Sequence, residues 1–317
     1  MKKVVSLALA AMLALGLLAG CSKQGVIKIG VIQYVAHDAL DAAYKGFVEG
    51  LAEAGYTEGD KVSFDYQNAQ GDQANCPIIA TKLVNSGSNL ILAIATPAAQ
   101  AVATATKEHQ DIPVLVTAVT DPFDAGLVAS NEAPGGNITG TSDLTPVKEQ
   151  MELLTKLVPT AKKVGFLYAS SEANSVFQIN MARAAAEALG LETEDFTVSN
   201  SNDVQAVVKS MVGKVDAVYT PTDNMIAQTM STVARVALEG KLPVIVGETG
   251  MVESGGLASY SIDYYELGKI TAQQAVEILE GKAKPADMPI RYQEDFKLEI
   301  NQETASALGI TVPADLA

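Results

Sequence analysis

The stretch NLILAIATPAAQAVATATKEHQDIPVLVTAVTD, residues 89–121, places two short aliphatic runs on either side of a longer segment. The runs NLILAIA (89–95) and IPVLVTAV (112–119) are nearly all apolar and carry no charge, which is typical of strands buried on both faces of a parallel sheet. The intervening AAQAVATATKEHQ has helical periodicity. Because right-handed crossovers place helices on both faces of a parallel sheet, this β–α–β unit predicts an α/β fold.

The same alternation of strands and helices extends in both directions from this unit. Before it lie the strand-like runs VIKIGVIQ (26–33) and KVSFDYQN (61–68). After it comes a Gly/Pro/Thr-rich passage, PGGNITGTSDLTPVKEQ (134–150), and the alternation then begins again with KKVGFLYA, LETEDFTV, VDAVYT and LPVIVG as strands. The sequence therefore predicts two doubly wound, Rossmann-like lobes, each with a parallel sheet.

The C-terminal segment contains too few elements to form a third domain. We therefore divide it between the two lobes, so that lobe 1 contains 26–143 plus 255–286 and lobe 2 contains 144–254 plus 287–317. With this division the chain passes between the lobes three times, and we expect a three-crossing hinge near residues 141–148, 249–257 and 284–294.

The N-terminus has the features of an export signal. MKK supplies positive charge, and VVSLALAAMLALGLLA (4–19) is an uncharged apolar run shorter than the ~20 residues that a spanning helix needs. We predict a signal peptide at 1–20. Leu18-Ala19-Gly20-Cys21 resembles the bacterial lipobox, whose cysteine is acylated and becomes the first mature residue. We therefore expect lipidation at Cys21, a tether over 21–25, and an exported protein anchored to a bacterial membrane, on its periplasmic or cell-surface side; the alternative is a spanning helix.

Composition excludes several classes of function. The formal net charge of −15 argues against nucleic-acid binding, because the protein would repel the phosphate backbone. With two histidines and two cysteines, the sequence has no metal cluster of usual spacing, and Cys76 has no partner for an internal disulfide once Cys21 is acylated. No G-x-S-x-G elbow, dinucleotide fingerprint or phosphate loop is present. We therefore expect a binding protein without metal or cofactor, and no catalysis.

Ligands of open α/β sheets bind beyond the carboxyl ends of the strands, and the loops at these positions are polar here. They are YVAHD (34–38), TPAAQ (96–100), TDPFD (120–124), SSEANS (170–175), PTDN (221–224) and ETG (248–250). None of the three arginines lies in these loops, although a phosphate or a dicarboxylate would normally be bound by arginine.

Two kinds of side chain in these loops and in SIDYYELGK suggest a ligand chemistry. Hydroxyl donors for a single carboxylate would be Thr96, Thr120, Ser171 and Ser175. Carboxylate acceptors for an ammonium group would be Asp121, Asp223, Glu248 and Asp263. Both together suit a zwitterion, of which an amino acid is the simplest. The alternative is structural: Thr96 before Pro97 has the pattern of a helix N-cap, and the acids also favour turns before helices.

Motifs spread over residues 26–282 are similar to those of a known family. They are VIQYVAHDALDAAYKGFVEGLAEAGY, NAQGD, AIATPAAQA, AVTDPFDAGLV, PGGNITGTSDLTPV, SSEANS, PTDN and SIDYYELGK. They resemble the lipoprotein substrate-binding components of bacterial ABC importers, in the branch associated with aromatic amino acids. The resemblance implies the type I periplasmic-binding fold, an ABC permease as membrane partner and a monomer. It also implies that the ligand is lined by Gln33, His37, Thr96, Thr120, Asp121, Ser171, Asn174, Ser175, Asp223, Asn224 and Asp263.

We expect the ligand to close the two lobes around itself. The aromatic candidates for walls around its side chain are Tyr34, Phe123, Tyr168 and Tyr264. Two alternatives stay open on the residues alone. One is a sugar or nucleoside receptor of the same fold, against which the lack of tryptophan argues, and the other is the ectodomain of a sensory system.

Overall fold

The computed structural model describes residues 25–316. The predicted signal peptide (1–20) and the predicted lipidation site Cys21 lie outside these residues, as does all of the 21–25 tether except Gly25. Between residues 25 and 316, no helix combines the length and the apolar character needed to cross a membrane.

Lobe 1 is built on a five-stranded parallel sheet. The strands follow the order β2-β1-β3-β4-β5, with bounds β1 (Ile27–Gln33), β2 (Val62–Asn68), β3 (Leu90–Ile94), β4 (Val114–Val119) and β5 (Ile138–Ser142). Every residue of β3 and β4 is buried, as expected for a sheet that is covered on both faces. The helices that connect the first four strands are α1 (Asp38–Glu53), α2 (Asn75–Asn85) and α3 (Thr96–Ala105).

The fifth strand of lobe 1 lies inside the Gly/Pro/Thr-rich passage at 134–150, where no strand was predicted. Its glycine is required by the pairing with β4. Gly140 has φ +147°, and a Cβ there would lie 2.0 Å from the carbonyl oxygen of Val116. This close approach explains a glycine in the middle of a buried strand, where glycine otherwise weakens a sheet.

Lobe 2 repeats the strand order of lobe 1. Five parallel strands follow the order β7-β6-β8-β9-β10, with bounds β6 (Lys163–Ala169), β7 (Glu192–Val198), β8 (Ala217–Thr220), β9 (Val244–Val246) and β10 (Ala258–Ser261). The helices are α4 (Val147–Leu157), α5 (Ala173–Ala188), α6 (Val204–Met211), α7 (Asn224–Gln228), α8 (Met230–Glu239) and α9 (Thr249–Glu253), with a 3₁₀ turn at Ser201–Asp203. Thr229 separates α7 from α8.

The C-terminal segment contributes to both lobes. Its elements are α10 (Tyr264–Leu279), a 3₁₀ turn (Pro285–Asp287), β11 (Lys297–Ile300) and α11 (Gln302–Leu308). α10 packs against α1 with close backbone contact, because a Cβ at Gly268 would lie 2.0 Å from the carbonyl oxygen of Ala43. β11 is antiparallel to β10 and forms the edge of the second sheet.

The structure corrects the predicted lobe boundaries at two points. Residues 255–261 were assigned to lobe 1, but β10 pairs with β9 and β11 in the sheet of lobe 2. Residues 287–291 were assigned to lobe 2, but the backbone N–H of Arg291 donates to the carbonyl oxygen of Gly140 in lobe 1 (2.9 Å). Each lobe completes five parallel strands before the chain leaves it. The crossings therefore lie at 143–146, 262–263 and 292–296.

Each lobe has its own hydrophobic core. Phe47 is fully buried in lobe 1, among residues of β1, β3, β4 and α10. Phe166 and Tyr219 are fully buried in lobe 2, where their rings meet edge to face at 6.1 Å. The predicted fold class, two α/β lobes with parallel sheets, is confirmed.

Candidate functional site

A narrow cavity lies between the two lobes. Its free volume is only about 10 Å³, room for about one water-sized group, so the lobes enclose it tightly. Most of its lining residues follow the carboxyl ends of strands, where ligands of open α/β sheets bind. The lining consists of His37, Leu40, Ala118, Thr120, Asp143, Asn174, Thr222, Asp223, Asn224, Ala227, Glu248 and Tyr264.

The backbone is strained at the ends of two strands of lobe 1. Ala118, which lines the cavity, has φ +53°, and Ala95, which follows β3, has φ +78°. Both residues carry a Cβ and are therefore disfavoured in this left-handed region. Such strain is concentrated at ligand sites in proteins, because the surrounding structure must hold it in place.

Polar contacts join the lobes around the cavity. The amide of Gln178 in lobe 2 donates to the hydroxyl oxygens of Thr222 (2.7 Å) and of Thr120 in lobe 1 (3.3 Å). His37 Nε2 lies 3.3 Å from Asn224 Oδ1. At the rim, the amide of Gln73 donates to the carbonyl oxygen of Ser171 (2.9 Å). The lobes are therefore in direct contact on several sides of the cavity.

Asp143 is the acid of the first crossing, and it lies against the cavity. The hydroxyl of Tyr264 donates to its Oδ2 (2.8 Å), whereas its Oδ1 has no hydrogen-bond partner among residues 25–316. Burial raises the pKa of Asp143 to about 6, and the hydrogen bond from Tyr264 opposes this shift.

Asp223 also borders the cavity, but both of its oxygens are used within lobe 2. Oδ2 accepts hydrogen bonds from the Ala169 N–H (2.7 Å) and the Ser175 hydroxyl (2.7 Å), and Oδ1 accepts one from the Ile226 N–H (2.9 Å). Asp223 was predicted to face the ammonium group of a ligand, but its carboxylate is already engaged as the N-cap of α7.

Two further buried acids surround the cavity and are likewise engaged. Glu172 accepts hydrogen bonds from the Asn224 side-chain amide (2.5 Å) and the Met225 N–H (3.2 Å), and burial together with the charge of Asp223 raises its pKa above the ordinary value. Glu248 caps α9 by accepting from the N–H groups of Gly250 and Met251. Burial raises the pKa of Glu248 to about 7.

No permanent positive charge faces these acids from the cavity lining. His37 is the basic residue there, and burial lowers its pKa, so its ring is neutral at pH 7. The three arginines each pair with an acid elsewhere, namely Arg183 with Asp195, Arg235 with Glu239 and Arg291 with Glu277. The cavity is therefore acidic.

The structure brings six of the predicted site residues into the lining of the cavity and places a seventh directly behind them. The six are His37, Thr120, Asn174, Asp223, Asn224 and Glu248. Ser175 is fully buried behind them, with its hydroxyl on Asp223. Gln33 is also buried, but its amide donates to the Val35 carbonyl (2.9 Å) and to Asp41 (2.6 Å) and so holds the β1–α1 loop.

The remaining predicted residues lie outside the cavity lining. Ser171 is exposed at the rim, and Asp121 accepts from the N–H groups of Phe123 and Asp124 in its own turn. Asp263 caps α10 and lines a separate groove of about 210 Å³ beside α1 and α9. Thr96 is the first residue of α3, so its predicted place as N-cap was wrong. Ala95 holds that position, and no side chain caps the helix.

Of the four aromatic candidates, only Tyr264 lines the cavity. The hydroxyl of Tyr34 donates to the Gly71 carbonyl (2.8 Å) at another groove. Tyr168 points to Asp195, and Phe123 is 58% exposed in its loop. Position at the end of a strand alone therefore did not identify the aromatic wall.

Sequence reasoning did not select two polar residues of the lining, Asp143 and Thr222, or the supporting Glu172 and Gln178. Three of them had a usable signal. Asp143 is the single acid between Pro134 and Pro146 in the first crossing, and Glu172 and Thr222 stand inside loops that were already identified. Gln178 lies one turn inside α5 and gave no such signal. Within residues 25–316, no group of three or more His, Cys, Asp and Glu side chains is placed to hold a metal ion.

Comparison with known proteins agrees with this geometry. A family profile described as ABC transporter substrate binding protein matches residues 28–317. A tyrosine-binding protein from Clostridioides difficile (strain R20291) is 42% identical over an alignment of 322 residues, which covers 97% of this chain and 92% of that protein.

Two solved structures show the same fold at similar identity. An ABC domain from Streptococcus pneumonia in complex with L-Trp is 44% identical, with a TM-score of 0.88. The ligand-free, open structure of a substrate-binding protein with adhesive properties from Clostridium difficile is 42% identical, with a TM-score of 0.69. Both comparisons cover 92% of this chain and 97% of the other. With the profile and these relatives together, the chain belongs to the ABC transporter substrate-binding proteins.

Proposed function

We propose that this protein captures an aromatic amino acid in the cavity between its lobes and delivers it to an ABC permease. The observation that carries the proposal is the cavity itself, which lies between the lobes and is bordered by buried acids and neutral polar side chains. An amino acid supplies an ammonium group that can pair with an unengaged carboxylate oxygen in this lining. Relatives at 42–44% identity include a tyrosine-binding protein and a complex with L-Trp.

The arrangement of the lobes supports capture by closure. The two solved relatives have nearly equal identity and coverage, yet the TM-score is 0.88 to the L-Trp complex and 0.69 to the ligand-free, open structure. The present lobes are therefore arranged more like those of the complex. A ligand that contacts both lobes stabilises this arrangement over an open one by its differential affinity, and no bond is made or broken.

The proposal is tested by unfolding the purified protein to remove carried-over ligand, refolding it and measuring its thermal stability with candidate ligands. A ligand at 100 times its Kd stabilises the native state by about 2.7 kcal/mol. We expect L-tyrosine, L-tryptophan or L-phenylalanine to raise the melting temperature, with glycine and sugars as controls. Stabilisation by a sugar or a nucleoside but by none of the three amino acids would contradict the proposal.

We further propose that the protein acts as a monomer tethered by an acylated Cys21, which keeps it close to the permease and raises its effective concentration there. Replacing Cys21 with Ser should move the protein from the membrane fraction to the soluble fraction without changing ligand affinity. Size-exclusion chromatography with light scattering measures the oligomeric state of the released form. Retention of Cys21→Ser in membranes would instead indicate a spanning N-terminal helix.

A further inference from the structure

We infer that the α-ammonium group of the ligand is held by three acceptor atoms from three parts of the protein. They are His37 Nδ1 in lobe 1, Asp143 Oδ1 in the first crossing and Asn174 Oδ1 in lobe 2. The inference rests on the proposed function, and it assigns the charged partner of the ligand to Asp143 instead of Asp223.

Unpaired polar atoms identify these residues. Among residues 25–316, six buried side-chain nitrogen or oxygen atoms have no hydrogen-bond partner, and three of the six belong to residues that line the cavity. Asp143 and Asn174 are 4% and 6% exposed. A buried polar atom without a partner is costly, so three of them around one cavity indicate a ligand that pairs with them.

The hydrogen bonds around Asn174 and His37 show that their unpaired atoms are acceptors. The Asn174 amide nitrogen donates to the Thr222 carbonyl (3.0 Å), which leaves Oδ1 free. The Asn224 amide nitrogen donates to Glu172 (2.5 Å), so Asn224 Oδ1 must accept from His37 Nε2 (3.3 Å). His37 is neutral, and a proton on Nε2 leaves Nδ1 as an acceptor. An ammonium group has three N–H donors, which matches three acceptors.

Asp143 supplies the negative charge. Of the four buried acids at the cavity, Asp223, Glu172 and Glu248 have both carboxylate oxygens engaged by protein donors. Asp143 has one oxygen held by Tyr264 and one without a partner. The Tyr264 hydrogen bond also fixes the orientation of the carboxylate, so its free oxygen is positioned before the ligand enters.

The position of the three acceptors links ammonium binding to closure. His37 follows β1 in lobe 1, Asn174 lies in the first turn of α5 in lobe 2, and Asp143 lies on the first chain segment that joins the two lobes. An ammonium group in contact with all three must bridge the lobes. A ligand without this group would lose both the ion pair and part of the preference for the closed state.

The experiment compares two pairs of ligands on the wild type and on variants by isothermal titration calorimetry at pH 7.5. The ligand pairs are L-tyrosine with 3-(4-hydroxyphenyl)propanoate and L-tryptophan with indole-3-propanoate, which differ only by the ammonium group. The proteins are wild type and Asp143→Asn, whose oxygen can still accept from Tyr264 while its amide faces the ligand. Asp263→Asn, an acid outside the cavity lining, is the matched control.

We expect the wild type and Asp263→Asn to bind the amino acid at least 100-fold more tightly than its analogue. Asp143→Asn should bind the amino acid about 100-fold more weakly than the wild type does, while its affinity for the analogue changes little. Asn174→Ser removes a neutral acceptor, so its affinity for the amino acid should fall about tenfold. This variant provides a second test if Asp143→Asn does not fold. Unchanged discrimination in both variants would overturn the inference and leave the proposed function intact. Failure of the wild type to bind any aromatic amino acid would instead overturn the proposed function.

Discussion

Replacing Asp223 with Ala should destabilise the protein rather than simply weaken a ligand contact. Asp223 is 1% exposed, and its side chain pairs two backbone N–H groups and one hydroxyl. Loss of the N-cap bond to Ile226 costs about 1 kcal/mol. The buried Ala169 N–H, left without an acceptor, costs about 2 kcal/mol, and the Ser175 hydroxyl about 1 kcal/mol more. We therefore expect the free energy of unfolding to fall by about 4 kcal/mol.

Urea denaturation followed by far-ultraviolet circular dichroism measures this loss, with an unchanged slope showing that the unfolded states are comparable. Asp263→Ala is the matched control, because Asp263 is also a helix N-cap but is half-buried and accepts a single N–H, that of Glu266 (3.2 Å). Asp263→Ala should lower the free energy of unfolding by about 1 kcal/mol or less. If Asp223→Ala lost less than 1 kcal/mol and instead bound amino acids far more weakly, Asp223 would be the ammonium partner and our reasoning would be wrong.

Two further predictions concern packing and pH. Gly268→Ala places a Cβ against the Ala43 backbone and must separate α1 from α10, so the free energy of unfolding measured in urea should fall by about 3 kcal/mol. In the control Gly136→Ala, the new Cβ meets nothing closer than 3.9 Å, and stability should not change. Equal stability of the two variants would contradict the close contact between α1 and α10. Burial raises the pKa of Glu248 from 4.5 to about 7 in the folded state, so the folded chain holds this proton more tightly than the unfolded chain and stability falls as pH rises from 4.5 to 7. The ligand-free protein should therefore be less stable at pH 8 than at pH 5, and Glu248 should contribute about 3 kcal/mol of this difference, at 1.36 kcal/mol per pKa unit. Glu248→Gln should reduce the difference. A wild-type stability that rises from pH 5 to pH 8 would refute this prediction.

The candidate site could be predicted in part because the carboxyl ends of parallel strands converge in any doubly wound sheet. Thr120 follows β4, Asn174 lies in the first turn of the helix after β6, and Asn224 follows β8, so the order of elements alone brought them together. Asp121 and Phe123 also follow β4, but their side chains turn into the local loop or into solvent. Sequence position selects a loop, and it does not select the side of the loop that faces the cleft.

The lobe boundaries show a similar limit. Runs of β-branched residues identified the long strands, but β5 contains Thr, Gly and Ser and is recognisable only from its pairing with β4. The position of β10 in lobe 2 likewise depends on its pairing with β9 and β11. Both assignments rest on hydrogen bonds between segments far apart in sequence, which local pattern does not contain.

The sequence by itself determined the two-lobed α/β architecture, because strand and helix periodicity is a local property of the chain. It also determined the acidic character of the cleft and the lack of an arginine there. Only the tertiary structure decided which acid is available to a ligand. Asp223 and Asp143 are both acids between predicted elements, but Asp223 has one oxygen engaged by the distant Ala169 N–H and the other by the neighbouring Ile226 N–H, whereas Asp143 keeps one oxygen unpaired at the cavity.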